Sequence, residues 1–249
     1  MARRKLIAGN WKMNGDLAAL TEVEAIAAAA TANPAVDVGI GVPATLIGPA
    51  HARAPRLSIG AEDVHAVDHG AFTGSVSAPM VREAGASFAI VGHSERRAGC
   101  GETDADVKAK AEALLRHGLA AILCVGETSD QRNAGNAVAT VTGQVRASMP
   151  WGAASGWLSV AYEPIWAIGS GHTPTLAQVS EMHGAIRATL TELLGADAAS
   201  MRVLYGGSVT AENAAELLGA PDVDGALVGG ASLTAAKFVP IIEAAAGLA

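Results

Sequence analysis

The sequence predicts an α/β fold, a single (βα)8 barrel, and three observations support that prediction. Eight short runs rich in Ile, Val, Leu and Ala recur along the 249 residues with helical patterns between them. Each unit has about 31 residues, the size of a βα repeat. The runs are continuous rather than alternating, as in parallel strands buried on both faces. No linker or shift in composition divides the chain, so we expect one domain over residues 1–249.

The predicted strands follow one another at regular intervals. They cover residues 6–9, 36–42, 57–60, 88–91, 120–125, 158–162, 201–205 and 226–228. An open, doubly wound sheet is the alternative arrangement of such units. Its usual dinucleotide fingerprint is missing, because neither Gly39-Ile40-Gly41 nor Gly169-Ser170-Gly171 is followed by a third glycine at the required spacing. The closed barrel is therefore favoured.

Two helices between the strands have clear boundaries. Residues 104–117 precede Gly118, and residues 175–194 precede Gly195, each glycine being a typical helix stop. Ser77 with Pro79 and Thr210 with Asn213 resemble two further helix starts. The apolar stripes expected to face the barrel are Val107, Ala111, Leu114 and Leu115 in the first helix and Leu176, Val179, Ile186, Leu190 and Leu193 in the second.

Composition excludes several classes of protein. Lys and Arg total 17 against 24 Asp and Glu, a net charge of −7, and the longest basic run is Arg3-Arg4-Lys5, so we expect no nucleic-acid partner. The apolar stretch behind that run is too short for a signal peptide, and no stretch is long and apolar enough for a membrane span. Cys100 and Cys124 form no disulfide framework. We therefore expect a cytoplasmic protein that does not bind membranes.

Polar side chains follow the predicted strands, at the end of a barrel where active sites are built. Asn10 and Lys12 follow strand one, His93 and Glu95 follow strand four, and Glu163 follows strand six. Glu62, Asp63 and Glu127 also lie at strand ends. One carboxylate, one imidazole and one ammonium suit the removal of a proton beside a carbonyl: the carboxylate takes the proton, and the other two groups stabilise the developing oxyanion.

Glycine-rich turns follow strands six, seven and eight. They contain Gly169-Ser170-Gly171, Gly206-Gly207-Ser208 and Gly229-Gly230. Glycine lets backbone N–H groups converge on an anion, and the commonest phosphate site of this barrel lies after strands seven and eight. The sequence therefore predicts a phosphate-bearing substrate, with Lys12 at the edge of its site because strand one closes against strand eight.

Each residue also has a simpler interpretation. Lys12 and Glu163 taken singly could be solvated surface groups, and His93 a hydrogen-bonded structural histidine. His65 and His69 lie near Asp63 and Asp68 like a metal site, but no further His or Cys pair completes a ligand set, so we expect no metal. Residues 92–96 resemble a nucleophile elbow until Arg96 replaces its last glycine, and Cys124 is expected in the core.

Six motifs in order resemble one family, the triosephosphate isomerases, from residue 9 to residue 233. They are GNWKMN at 9–14, GHSERR at 92–97, CVGE at 124–127, AYEPIWAIG at 161–169, YGGSV at 205–209 and DGALVGGASL at 224–233.

This resemblance implies an activity that needs no cofactor, the interconversion of dihydroxyacetone phosphate and glyceraldehyde 3-phosphate in glycolysis and gluconeogenesis. It implies that Glu163 is the base that moves a proton between two carbons. His93 is then a neutral electrophile that carries protons between the oxygens, while Lys12 and Asn10 hold the substrate and the enediolate. Glu95 then orients the side of the site on which Lys12 lies.

The resemblance also implies a lid, a phosphate site and a homodimer. Residues 164–175 correspond to a mobile lid that excludes water. The amides of Gly169, Ser208, Gly229 and Gly230 would hold the phosphate. The loop at residues 70–74 resembles one that reaches into a partner subunit, which places Thr73 near the partner's site.

Three positions depart from the family pattern, and two alternative functions stay open. Ser75 stands where Glu is usual, Glu62 where Gln is common and Ser170 where Thr is usual in the lid. We expect these changes to alter the interface or the lid before the chemistry. The alternatives are isomerisation of a four-carbon ketose phosphate by the same groups, and a catalytically silent phosphosugar-binding barrel.

Overall fold

The computed structural model describes residues 3–168 and 173–248 and forms a closed barrel of parallel strands in chain order. The strands are β1 (Leu6–Asn10), β2 (Asp37–Val42), β3 (Ser58–Ala61), β4 (Phe88–Val91), β5 (Ala120–Val125), β6 (Leu158–Tyr162), β7 (Arg202–Tyr205) and β8 (Gly225–Val228). The barrel closes where Leu6 of β1 pairs with Asp37 on one side and Gly225 on the other. The predicted barrel is confirmed, and each predicted strand boundary is within one residue of the observed one.

Helices connect successive strands around the outside of the barrel. The α-helices are α1 (Leu20–Ala32), α2 (Ile47–Arg53), α3 (Ala78–Glu83), α4 (Ser94–Cys100), α5 (Asp104–Arg116), α6 (Ser129–Asn133), α7 (Ala137–Ser148), α8 (Leu176–Leu194), α9 (Ala214–Leu218) and α10 (Ala235–Ala246). Short 3-10 helices cover Ala44–Leu46, Ile165–Ala167, Gly195–Ala199 and Gly230–Leu233.

The predicted helix ends are largely those observed. Thr103 and Thr175 close capping boxes at the starts of α5 and α8, and Gly118 ends α5 in the left-handed region, at φ +66°. Ser77 precedes α3 as predicted, whereas α9 begins only after Asn213.

The two predicted apolar stripes need correction at their edges. Leu115, Leu176 and Leu193 are exposed, because each lies on the outer side of its helix or in a terminal turn. Met182 and His183 of α8 are buried in their place. The spacing of apolar residues could not identify His183 as buried, because it is a polar residue on a buried helical face.

Apolar side chains fill two layers. One lies between strands and helices, and the other lies inside the barrel. The inner layer consists of Ala8, Phe88, Ile90, Ile122, Cys124, Ala161, Leu204 and Leu227. Cys124 is fully buried, as predicted, and burial raises the pKa of its thiol. The packed interior holds the strand ends in fixed relative positions.

Gly225 closes the barrel at a position that tolerates no side chain. Its φ is +148°, and a Cβ there would lie 1.9 Å from the backbone oxygen of Leu6 on β1. We expect Gly225→Ala to lower the free energy of unfolding by about 3 kcal/mol or more, measured by urea denaturation.

Gly143→Ala is the matched control. Gly143 is exposed on α7, and an added methyl group would meet no atom within 4 Å. This change should therefore stabilise the protein by about 0.5–1 kcal/mol, because alanine favours a helix more than glycine does. Equal unfolding midpoints for the two variants would contradict the expected clash.

Candidate active site

The structure brings the predicted polar residues together at the carboxyl ends of the strands. Asn10 ends β1, His93 lies two residues after β4, and Glu163 directly follows β6. A cavity of about 640 Å³ is lined by Asn10, Lys12, His93, Glu163, Ser208, Gly229 and Gly230. Glu95 lines an adjoining cavity of about 400 Å³, together with Asn10, Lys12 and His93. Gly169, the remaining predicted site residue, lies outside the described residues.

Glu163 is buried and held by the start of α4. Its Oε2 accepts a hydrogen bond from the Ser94 N–H at 2.9 Å, and its Oε1 accepts one from the Ser94 hydroxyl at 3.2 Å. His93 Nε2 lies 2.9 Å from the same Oε1. Only 1% of Glu163 is exposed, so its carboxylate depends on these donors for stabilisation. To reach a substrate carbon, the carboxylate must exchange the Ser94 bonds for contact with substrate.

His93 has its ring tautomer set by the backbone. It is the N-cap of α4, and its Nδ1 accepts the Glu95 N–H at 3.3 Å. A nitrogen that accepts a hydrogen bond carries no proton, so the ring proton lies on Nε2 and the imidazole is neutral. The Glu95 carboxylate is 3.6 Å from Nδ1, beyond hydrogen-bond distance. The ring therefore presents its Nε2–H group, as a hydrogen-bond donor, on the side of Glu163.

Lys12 is held in an unusual backbone conformation. Its φ is +56°, rare for a residue other than glycine, and its N–H donates to Asn10 Oδ1 at 3.0 Å. Its ammonium lies 2.6 Å from Glu95 Oε1. Asn10 is buried, so its amide fixes the turn that presents Lys12 to the cavity. Strain of this kind is maintained by surrounding contacts and clusters at functional sites.

The opposite wall of the cavity includes the glycine turn after β8. A Cβ on Gly229 would lie 3.6 Å from Lys12 Cε and 3.9 Å from Nζ, which places the ammonium beside the turn after β8. The short helix Gly230–Leu233 begins there. The N-terminus of this short helix, the glycine turn and the Lys12 ammonium therefore lie beside one another, an arrangement that favours an anion. The predicted position of Lys12 beside strand eight is confirmed.

The second glycine turn provides space as well as amides. A Cβ on Gly206 would lie 3.0 Å from Glu163 Cγ, and one on Gly207 would lie 2.2 Å from the Tyr205 hydroxyl oxygen. Gly126, after β5, would place a Cβ 2.0 Å from the Glu163 backbone oxygen. These glycines allow the loops to close around Glu163, a role that the sequence analysis did not assign.

Other residues at strand ends differ in their roles. Ser94 was quoted in a motif but given no function, although it donates both of its hydrogen bonds to Glu163. Glu127 is fully buried, and its Oε1 accepts bonds from Arg132, Tyr162 and Trp166 at 2.8–3.0 Å. Asp63 pairs with Lys110 at 2.7 Å. Glu127 therefore supports the loops and lines neither cavity, whereas Asp63 lines the adjoining cavity that Glu95 also lines. The sequence indicated only that these residues lie close to strand ends, and it gave no signal for their side-chain contacts.

Comparison with known proteins agrees with this geometry. A family model described as triosephosphate isomerase matches residues 5–245. The chain belongs to the triosephosphate isomerase family. The triosephosphate isomerase of Ruegeria sp. (strain TM1040) is 53% identical over 243 residues, 98% of each chain. That of Xanthobacter flavus is 54% identical over 244 residues, 97% of this chain and 98% of the relative. The crystal structure of triosephosphate isomerase from Bartonella henselae is similar with a TM-score of 0.91 at 43% identity, over 97% of this chain and 98% of that one.

Family membership confirms the resemblance inferred from the six motifs. The chain is a triosephosphate isomerase family enzyme, and the family's reaction is an aldose–ketose isomerisation. The predicted lid at residues 164–175 includes residues 169–172, which lie outside the described part of the chain. Among the described residues, no group of three or more His, Cys, Asp or Glu is placed to hold a metal ion. None of the described helices is long and apolar enough to cross a membrane.

Glu62 makes the stability of this triosephosphate isomerase family member dependent on pH. The pKa of its carboxyl is raised to about 8, chiefly by burial and also by the nearby Glu95 carboxylate, while a hydrogen bond from the Lys12 backbone and the Lys12 charge act to lower it. Its Oε1 is buried and accepts no hydrogen bond from the described residues. Between about pH 4.5 and 8 the folded state retains a proton that the unfolded state has lost, so stability falls as pH rises through this range.

We therefore expect Glu62→Gln to stabilise the protein more at pH 8.5 than at pH 5. The extra gain should be on the order of 2 kcal/mol in the free energy of unfolding, measured by urea denaturation at one protein concentration. Glu83→Gln is the control, because Glu83 is exposed on α3 and has no ion pair within the described structure. The same pH dependence in both variants would refute the assignment to Glu62.

Proposed function

We propose that this chain interconverts dihydroxyacetone phosphate and D-glyceraldehyde 3-phosphate without a cofactor, acting as one domain over residues 1–249. One observation carries the proposal. Glu163, the Nε2–H of His93 and the Lys12 ammonium line a single cavity whose other wall is the glycine turn and short helix after β8. A base, a neutral donor and a cation are thus grouped beside a site suited to a phosphate dianion.

The proposed reaction begins at Glu163. Its carboxylate removes the proton from the hydroxyl-bearing carbon next to the carbonyl, and the C–H electrons form the C=C bond of an enediolate. Protonated Glu163 then returns the proton to the neighbouring carbon, which leaves the carbonyl at the other position. Release from the two Ser94 hydrogen bonds and from the His93 Nε2 contact frees the carboxylate for this step.

His93 and Lys12 act on the oxygens in this proposal. His93 Nε2–H donates to the developing oxyanion and moves a proton between the two oxygens, a task for which a neutral imidazole is suited because it can donate and accept in turn. Lys12 stabilises the enediolate and the phosphate, since it lies beside Gly229. Asn10 holds the Lys12 backbone, and Glu95 orients the ammonium through its 2.6 Å contact.

The phosphate is proposed to bind at the backbone amides of Gly169, Ser208, Gly229 and Gly230. Gly229 and Gly230 begin the short helix after β8, where unpaired N–H groups favour an anion. Residues 164–175 would close over the bound substrate and exclude water. Closure would also suppress loss of phosphate from the enediolate.

We also propose a homodimer in which the loop of residues 70–74, including Thr73, enters the partner subunit. The loop is exposed, and Phe72 stacks on His65 with ring centroids 4.1 Å apart. Met13 is 96% exposed beside Lys12, a large apolar side chain that a partner would cover. Sedimentation at micromolar concentration tests this proposal, and a monomer alone would contradict it.

We also propose that the enzyme acts in the cytoplasm, in glycolysis and gluconeogenesis.

A coupled assay with glyceraldehyde 3-phosphate tests the proposed substrate. Activity on a four-carbon ketose phosphate is measured under the same conditions. We expect the higher kcat/KM for the triose phosphate. A higher value for the four-carbon ketose would assign the chain to the alternative isomerase. Binding of triose phosphate with no turnover would instead indicate a phosphosugar-binding barrel.

A further inference from the structure

A separate cavity of about 410 Å³ opens at the amino-terminal ends of the strands, opposite the candidate active site. Leu6 at the start of β1 lines this cavity, whereas Asn10 at the end of β1 lines the active site. The two residues are four steps apart along β1, about 13 Å along the strand. Catalytic groups of this fold lie at the carboxyl ends, so the second cavity is outside the reaction described above.

Small residues leave this end of the barrel open. The cavity is lined by Ala8, Gly39, Ser58, Ala120 and Ser159 from five different strands. The Phe88 ring lies above them and closes the cavity from the barrel interior, since a Cβ on Gly39 would lie 3.0 Å from that ring and one on Gly60 only 2.3 Å. Barrel interiors are normally filled by bulky side chains. Here Phe88 is the last bulky side chain toward the amino-terminal end, and the cavity beyond it is within the size range of small-ligand sites.

The mouth of the cavity is cationic in a protein of net charge −7. Arg4, Arg56 and Arg202 line it against a single acid, Asp37. Arg4 Nε and Arg202 Nη1 each lie 2.7 Å from an Asp37 oxygen, so this carboxylate is shared between two guanidinium groups. Three positive charges therefore face one negative charge. A cavity with low-dielectric walls concentrates the resulting potential.

Several donors around the cavity have no partner among the described residues. Arg56 makes no hydrogen bond or ion pair there, and Arg202 uses only Nη1 for Asp37. Ser159 also lines the cavity, and its hydroxyl makes no hydrogen bond to another described residue. A serine hydroxyl can donate a hydrogen bond to an anion, and guanidinium groups bind carboxylate and phosphate oxygens through two parallel N–H bonds. Both features favour an oxygen-rich anion in the cavity.

We propose that this cavity, at the amino-terminal end of the barrel, binds a small organic anion with two or more carboxylate or phosphate groups. Arg56 and the free nitrogens of Arg202 hold the charged groups, the Ser159 hydroxyl donates from the cavity wall, and Trp157 and Phe88 contact the carbon skeleton. The site is independent of the proposed isomerase reaction, because no residue of the candidate active site lines it.

Fluorine NMR of protein labelled with 5-fluorotryptophan tests this site with citrate as the probe. Trp157 lines the cavity, whereas Trp166 follows β6 at the opposite end of the barrel. Citrate is titrated at constant ionic strength, and each resonance is assigned by a Trp→Phe variant. We expect a saturable shift of the Trp157 resonance. Arg56→Ala should weaken the citrate Kd at least fivefold, and Arg56→Lys should restore part of that loss.

Arg53→Ala is the matched control. It removes the same charge three residues away, but Arg53 lies outside the cavity and faces Glu24 at 3.8 Å, so its citrate Kd should stay within twofold of the unsubstituted protein. Inorganic phosphate forms a second titration that distinguishes a compact dianion from a polycarboxylate. No saturable shift at Trp157 with either anion, a response at Trp166 alone, or equal weakening by Arg56→Ala and Arg53→Ala would each overturn the proposal.

Discussion

Replacement of Glu163 by glutamine is expected to lower kcat roughly 10³- to 10⁴-fold, the contribution of a positioned general base. The amide has the shape of the carboxylate and still accepts the Ser94 N–H, so the fold should be retained. It cannot remove a proton from carbon. KM should change little, because the proposed phosphate contacts are backbone amides and the Glu163 side chain makes none of them. Steady-state kinetics with glyceraldehyde 3-phosphate gives both parameters.

Two further variants make the Glu163 result specific. Glu163→Asp retains the carboxylate but sets it back by one methylene, so we expect an intermediate loss of about 10²-fold. Glu83→Gln makes the same chemical change at an exposed position and should leave kcat unaltered. Unfolding midpoints of all three proteins check that the fold is intact. A Glu163→Gln enzyme within tenfold of the unsubstituted rate would exclude Glu163 as the base.

The strands and the grouping of the site residues were predictable because both depend on local sequence and one topological rule. Runs such as residues 120–125 are apolar throughout, which identifies a strand buried on both faces. Once the barrel closes in chain order, residues after its strands must meet at one end. Lys12 and Gly229 are more than 200 residues apart in sequence, yet closure of β1 against β8 places them side by side.

Contacts between distant side chains were not predictable in the same way. Glu127 and Glu163 both follow strands, and nothing in the local sequence indicates that Glu127 is directed onto Tyr162 and Arg132. The need for glycine at Gly126 depends on the Glu163 backbone, 37 residues later. The cavity below Phe88 likewise arises from small residues on five strands, each unremarkable alone. Such features depend on three-dimensional packing, which periodicity does not encode.

Replacement of Lys12 by methionine is expected to lower kcat by about 10²- to 10³-fold and to raise KM about tenfold. Methionine retains most of the apolar stem and removes the charge. The ammonium lies beside Gly229, where the phosphate is proposed to bind, and in the same cavity as His93 and Glu163. The same charge therefore acts on the substrate phosphate, which affects KM, and on the enediolate, which affects kcat.

The Lys12 substitution also leaves Glu95 without its cationic partner, and that effect must be separated from catalysis. The two side chains are 2.6 Å apart, so an unpaired Glu95 carboxylate would repel a dianionic substrate. The double variant Lys12→Met with Glu95→Gln removes this repulsion. If repulsion dominates, the double variant recovers most of the lost activity, and Lys12 is only a counter-ion. If Lys12 stabilises the enediolate, kcat remains low in both proteins, whereas a change confined to KM would limit its role to binding.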